Sequence, residues 1–342
     1  MTVDRIAVVR ALPGIGDMLC AVPALRAVRA AHPRARITLV GLPSAAWFVD
    51  RYPDLVGDLL VVEGVPGLPE VEPDPTVAAR FDAAARERRF DLALQLHGNG
   101  VVTNPLTALL SPRMHVGAYL PGHWRPSGAS IPYPGGHEIH RLLAVAEAAG
   151  CPGQGDAIEL PIRDHEWTAA AALVADGDGR PPYVCLHPGA SRPDNRWPTD
   201  RYAAIGDRLA DDGRRVVLTG TPGERSLVDA VARAMRAPVT DACGRTDVGT
   251  LAALFTSADV VLSNDTGAAH VAAAVATPSV IVYPAGADRA RWAPLAADRH
   301  IGVGPVPDRS GEERWPTVEA VLRAVGSHLA TTPTRRSLED AP

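Results

Sequence analysis

The chain has 342 residues, 46% of them hydrophobic and 21% charged, enough for two domains that each bury a core. Its formal net charge of −5 gives no basis for nucleic-acid binding as the main role. No apolar run reaches the length of a membrane-spanning helix, and no basic-then-apolar leader opens the chain. Cys20, Cys151, Cys185 and Cys243 match no metal or redox spacing. The expectation is therefore a cytoplasmic protein with free thiols.

Arg5 to Arg10 reads as a first strand, closed by Ala11-Leu12-Pro13-Gly14-Ile15-Gly16-Asp17. A helix from about Met18 to Ala31 follows, with Leu19, Val22, Leu25 and Val28 at helical spacing. Pro23 falls inside it, so the spacing predicts an irregular or two-step start. Strands are expected at Arg36 to Val40 and Asp58 to Val62, and a Pro/Gly-rich loop over Glu63 to Pro75. A helix from Thr76 to Arg89 leads to a strand at Asp91 to Leu96, which ends on His97-Gly98-Asn99-Gly100. The segment between Gly117 and Gly136 reads as irregular and aromatic-rich, a length more often functional than accidental. His137, Glu138, His140 and Arg141 open the next helix; the two His are not four apart, so this is no metalloprotease pattern.

Gly150 to Pro161 reads as an inter-domain linker. A helix near Glu166 to Asp176 precedes a second α/β series. Strands are expected at Tyr183 to His187, Arg215 to Thr219, Asp259 to Leu262 and Ser279 to Tyr283, the last clear one. Helices are expected at Asp200 to Asp211, Pro222 to Met235, Leu251 to Ser257 and Pro316 to Leu329. Residues 330–342 read as a disordered tail. Short β-rich runs alternating with helices, twice over, predict an α/β fold of two parallel sheets covered by helices, over 1–155 and 165–310.

The chemistry concentrates at strand ends. Val260 to Leu262 runs into Ser263-Asn264-Asp265-Thr266-Gly267-Ala268-Ala269-His270, a polar turn opening a small-residue helix. Asp265 and Thr266 stand where an N-cap belongs. The open amides of such a helix start favour an anion, and strand-to-helix junctions are where ligands bind on open α/β sheets. His187 to Pro198, Thr219 to Glu224 and Tyr283 to Gly286 are expected on the same face. Gly189 to Ser191 offer amides and a hydroxyl to phosphate oxygens, and Arg192 and Arg196 add charge-assisted donors. Glu224 is either a favourable helix-start charge or a ligand for the vicinal hydroxyls of a ribose. Together they read as a nucleotide-diphosphate pocket.

In the first half, Gly14-Ile15-Gly16-Asp17 lacks a third glycine, since position 19 is Leu, and Val40-Gly41-Leu42 offers no acid at the second strand's end. A nicotinamide dinucleotide site is therefore not expected. Asp17 is most simply an N-cap. Alternatively, a carboxylate facing a nucleotide pocket is what a general base in glycosyl transfer requires.

These residues resemble glycosyltransferase family 9, the ADP-heptose:lipopolysaccharide heptosyltransferase group, over nearly the whole chain. The resemblance is carried by Arg10 to Ala30, by Pro188-Gly189-Ala190 with Arg196-Trp197-Pro198, and by Asn264-Asp265-Thr266-Gly267-Ala268-Ala269-His270, in order and at the family's separations. It implies a GT-B architecture of two Rossmann-like domains facing a central cleft, with the acceptor on the first domain, the donor on the second, and the C-terminal helix returning to the first. It implies inverting, metal-independent transfer from a nucleotide-diphosphate sugar, with no cofactor.

Carried over by position, Asp17 is similar to the family's catalytic base. Ser191 and Arg192 match phosphate contacts, Glu224 a ribose contact, and Asp265, Thr266, Gly267 and His270 the grip on the diphosphate. Gly16, His97 and Asn99 are the acceptor-side candidates. One departure stands out: the family's phosphate-binding Lys, two before the Trp-Pro pair, falls on Asn195, and every basic residue of this chain is Arg. Arg192 or Arg196 is expected to supply that charge. The acceptor is a glycan, glycolipid or small molecule, met in the cytoplasm or peripherally at the inner membrane face. The competing readings are a sugar-nucleotide epimerase of the same architecture and a non-catalytic nucleotide-binding member.

Overall fold

The computed structural model describes residues 2–175, 182–305 and 314–331. It divides between Ile158 and Glu159 into two compact units, inside the segment expected to be the linker.

The first unit runs β1 (Arg5–Val9), α1 (Ile15–Leu19), α2 (Val22–Ala31), β2 (Arg36–Gly41), α3 (Ala46–Arg51), β3 (Asp58–Val61), α4 (Pro75–Glu87), β4 (Leu92–Gln95), α5 (Thr103–Leu109), β5 (Met114–Tyr119), β6 (Ile131–Pro132) and α6 (Glu138–Ala148). All six strands are parallel, in the order β3-β2-β1-β4-β5-β6. The two-step start is present: Pro23, which has no N–H to give, sits in the first turn of α2, where none is needed. The aromatic segment is less irregular than its composition suggests, because β5 reaches Tyr119 and Ile131–Pro132 returns to pair with it.

The second unit runs α7 (Asp164–Leu173), β7 (Tyr183–His187), α8 (Thr199–Asp211), β8 (Arg215–Leu218), α9 (Arg225–Ala234), β9 (Val239–Asp241), α10 (Val248–Thr256), β10 (Val260–Asn264), α11 (Gly267–Ala274), β11 (Ser279–Val282), α12 (Arg289–Trp292), β12 (His300–Val303) and α13 (Val318–Thr331). Its strands are also all parallel, in the order β12-β11-β10-β7-β8-β9. β11 is therefore not the last strand. β12 follows it and carries His300 and Gly302 in place of a run of aliphatics.

The C-terminal helix corrects a second expectation. Val321 and Val325 of α13 are fully buried in the core that also holds Val280, Val282, Leu186 and Trp197, so the helix is anchored on the second unit's own sheet. Each such valine stabilises by roughly 2 kcal/mol, which fixes where the helix stays. Its last turn reaches Thr331, past the expected start of the tail; residues 332–342 lie outside the described residues.

Both sheets reverse strand order beside their first strand. In the first unit the switch lies between β1 and β4, in the second between β7 and β10. The crevice beyond the carboxyl ends of such a pair is where open α/β sheets take ligands.

Candidate functional site

In the second unit the switch crevice is bounded by Pro188-Gly189 beyond β7 and by the end of β10. Asn264 is the last residue of β10, where a turn was expected. Its fully buried side chain ties the two edges together: Nδ2 donates to Pro188 O (2.8 Å) and Gly189 O (3.3 Å), and Oδ1 accepts from Trp197 N (3.0 Å). Trp197 is itself buried, donating Nε1–H to Pro316 O (3.2 Å) and packing edge-on against Tyr202. Arg196 donates Nε–H to Ala190 O (2.9 Å), closing the 190–196 loop, whereas Ser191 and Arg192 stand exposed.

Glu224 closes a capping box with Thr221, accepting its N–H (2.7 Å) and its hydroxyl (2.9 Å) on Oε2. The carboxylate lies over Gly189, where any Cβ would collide with it. His187, buried at the end of β7, bonds Thr219 Oγ1 through Nδ1 (3.0 Å), and burial holds its ring below the ordinary imidazole range.

Thr266 takes the N-cap position of α11 with extended backbone and no side-chain cap bond. Ala269 N–H already reaches Thr266 O (3.0 Å); the amides of Gly267 and Ala268, ahead of it, have no carbonyl within the helix to receive them. His270 is buried one turn in. Asp265 is pushed up to about 6, by burial first and then by the charge of Asp288.

In the first unit, Asp17 is not an N-cap. Gly14 holds that position without a side-chain bond, and Asp17 is the third residue of the single turn α1. Its carboxylate, 28% exposed, folds back over Gly14, where a Cβ would strike it. Gly16 is buried beside it. His97, just past β4, accepts Ala11 N–H on Nδ1 (3.2 Å); burial, then the charge of Arg10, lower its pKa to about 4, so the ring is neutral at pH 7. Asn99 caps its own turn by accepting Val101 N–H (3.1 Å). Gly16, Asp17 and His97 thus gather at the β1/β4 switch.

Of the His-Glu-x-His-Arg cluster, His137 is the N-cap of α6, accepting Ile139 N–H (3.2 Å). His140 is exposed against Asp156 (3.0 Å), and Glu138 is buried. Among the described residues, no three His, Cys, Asp or Glu side chains group as metal ligands would. Two residues escaped the sequence reading, Arg10 and Asn264. The signal for the first was a charge ending an otherwise apolar strand. Asn264 read only as one residue of a polar turn, because its side-chain partners lie 67 to 76 positions away.

Two Rossmann-like domains in one chain, each with polar groups at its switch point, form the GT-B frame of a nucleotide-sugar glycosyltransferase. A model of glycosyltransferase family 9 (heptosyltransferase) matches residues 127–310, more than half of the chain, and the chain belongs to that family. It is 26% identical over 288 residues to lipopolysaccharide heptosyltransferase 3 of Escherichia coli K12, covering 82% of each protein. Among solved structures it resembles the family 9 glycosyl transferase of Veillonella parvula, at 20% identity and a TM-score of 0.79 over 97% of this chain and 99% of that one. It also resembles the E. coli heptosyltransferase WaaC with ADP, at 18% identity and a TM-score of 0.66 over 95% and 99%. No helix among the described residues is long and apolar enough to cross a membrane.

Proposed function

We propose that the chain is an inverting, metal-independent and cofactor-free transferase that moves a heptose-like sugar from an adenosine diphosphate donor to a hydroxyl of a glycan, glycolipid or small molecule. The observation that carries this reading is the crevice between β7 and β10. There Asn264 sets the Pro188-Gly189 backbone against the open start of α11, a shape suited to a diphosphate. The amides of Gly189, Gly267 and Ala268 and the guanidinium groups of Arg192 and Arg196 take the phosphate oxygens. Asp265, Thr266 and His270 complete the grip, Glu224 takes the ribose hydroxyls, and Ser191 adds a hydroxyl. Arg in place of the family Lys is the natural substitution in a chain without Lys, since its planar fork matches phosphate.

The acceptor lies by Gly16, His97 and Asn99. Asp17 removes its hydroxyl proton as the oxygen bonds to the anomeric carbon. The bond from that carbon to the diphosphate oxygen breaks, and the electron pair leaves on ADP, where the cationic and amide donors stabilise it. A single displacement inverts the anomeric centre. The reaction belongs in the cytoplasm, at the inner membrane face where the acceptor is a glycolipid such as the lipopolysaccharide core.

Thermal shift against ADP, UDP, GDP and dTDP tests the donor side, with ADP expected to raise the melting temperature most. Asp17→Ala is expected to bind ADP normally and to lose transfer by about 10²- to 10⁴-fold. Full transfer by Asp17→Ala removes the base. Conversion of the nucleotide sugar in place of transfer points to an epimerase, and ADP binding without any product points to a non-catalytic member.

A further inference from the structure

Arg10 is the only charged residue of the described chain with no exposed surface at all. A guanidinium cannot shed its charge at any pH a protein meets, so burying one is costly unless its donors are answered. Three chain segments answer them. Nε donates to Asp17 O (2.8 Å) on α1, Nη1 donates to Leu96 O (2.5 Å) beyond β4, and Nη1 and Nη2 both lie 3.5 Å from Glu138 Oε1 on α6. Nη2 also stands 3.9 Å from Asp17 Oδ1. Glu138, buried in turn, has Arg141 Nη1 3.9 Å from its other oxygen, and Arg141 donates to Tyr133 Oη (3.0 Å). Acids and bases alternate along this line, so the buried charge is balanced.

We propose that Arg10 is the positioning residue for Asp17, with Glu138 as the counter-charge that allows a permanent cation to sit there. The proposal rests on the reading of Asp17 as the base. The turn that carries Asp17 is five residues long and its N-cap makes no side-chain bond, and Arg10 reaches it from outside α1. Nε holds the backbone of Asp17, Nη1 is pinned to the residue beyond β4, and Nη2 stands within ion-pair distance of the Asp17 carboxylate, 3.9 Å from Oδ1. A lysine at position 10 keeps the charge and loses the fork, because an ammonium cannot hold a fixed two-armed geometry.

The test uses the full chain and follows ADP release from ADP-heptose, with water alone and with a lipopolysaccharide core oligosaccharide added. Arg10→Met by itself strands Glu138 in the interior, so the variant that reports is Arg10→Met/Glu138→Met, which keeps volume and removes both charges. It is expected to melt below the parent, because the Asp17 and Leu96 carbonyls lose their donor, yet to stay folded at the assay temperature and to bind ADP with unchanged affinity, while kcat falls about 30-fold or more. Arg10→Lys is expected to regain less than about a tenth of the lost rate. In an Asp17→Asn background, removing the Arg10–Glu138 pair is expected to change the residual rate less than about twofold, because residues acting as a unit are not additive. A wild-type kcat in the double Met variant, rescue by Lys, or an equal loss in both backgrounds overturns the proposal. A wild-type rate in Asp17→Asn, or no ADP release from the parent chain, overturns instead the transfer reading beneath it.

Discussion

Gly189 leaves open the space that the Glu224 carboxylate occupies: a Cβ at position 189 would fall on the carboxylate itself, 35 positions away in the chain. The absence of a side chain on β7's outgoing loop and the capping box at Thr221 are thus one arrangement. Gly189→Ala forces the Glu224 carboxylate to move from the place where it accepts both Thr221 bonds. If Glu224 holds the donor's ribose, ADP affinity is expected to fall about tenfold, or ~1.4 kcal/mol, in a calorimetric titration. An unchanged affinity removes Glu224 from the donor site.

Asn264 makes a prediction about stability. Truncation to Ala leaves the buried Trp197 N–H and the Pro188 carbonyl without their shared partner. Stranded buried polar groups cost about 1–3 kcal/mol each, so a loss of ~3 kcal/mol is expected in urea unfolding followed by tryptophan fluorescence. A loss below ~1 kcal/mol would mean that the 188–197 loop holds its place without Asn264.

These two cases show where the sequence was legible. Gly189, Glu224 and the polar end of β10 announced themselves as glycine and polar residues following Val, Ile and Leu runs, because a strand end is a local pattern. The parallel sheets were legible for the same reason. What places Asn264 inside β10, and what puts Glu224 over Gly189, is contact between distant segments, which periodicity does not encode. β12 was missed because His300 and Gly302 interrupt its apolar run. The place of α13 turned on which sheet receives Val321 and Val325, a choice the helix's own spacing leaves open. Arg10 read as the end of a strand, and only the structure joins it to Leu96 and Glu138.

Three histidines set an acid limit on the fold. His97, His115 and His300 are each lowered to about 4, with burial the leading cause in all three and the charge of Arg10 adding at His97. A depressed imidazole contributes stability that is present above the unfolded value near 6.5 and lost as pH falls toward 4, because the unfolded chain takes up protons that the folded one refuses. Each histidine can contribute at most ~1.4 kcal/mol per pH unit in that window. Urea unfolding at pH 7, 6 and 5 is expected to show stability falling with acidity, and a flat profile would show that these rings protonate without unfolding. His115→Phe, at a ring whose two nitrogens have no hydrogen-bond partner among the described residues, is expected to make the fall shallower.

Asp265 works in the opposite direction. Its carboxyl is raised to about 6, by burial and then by Asp288, above an unfolded value near 3.8. A raised group stabilises fully below the unfolded value and loses that contribution as pH rises through the folded one, so at neutral pH the ionised Asp265 weighs against the fold. The side chain is only partly enclosed, so the cost is on the order of 1 kcal/mol rather than the full linkage figure. Asp265→Asn is accordingly expected to melt a few degrees higher than the parent at pH 7.5 and to show no such advantage at pH 4, in thermal scans of both proteins. A carboxylate kept at a cost to the fold, ahead of open helix amides, is what a ligand-facing position predicts. Asp265→Asn should therefore combine its gain in melting temperature with weaker ADP binding. A variant that is more stable and binds ADP as well as the parent would separate Asp265 from the diphosphate.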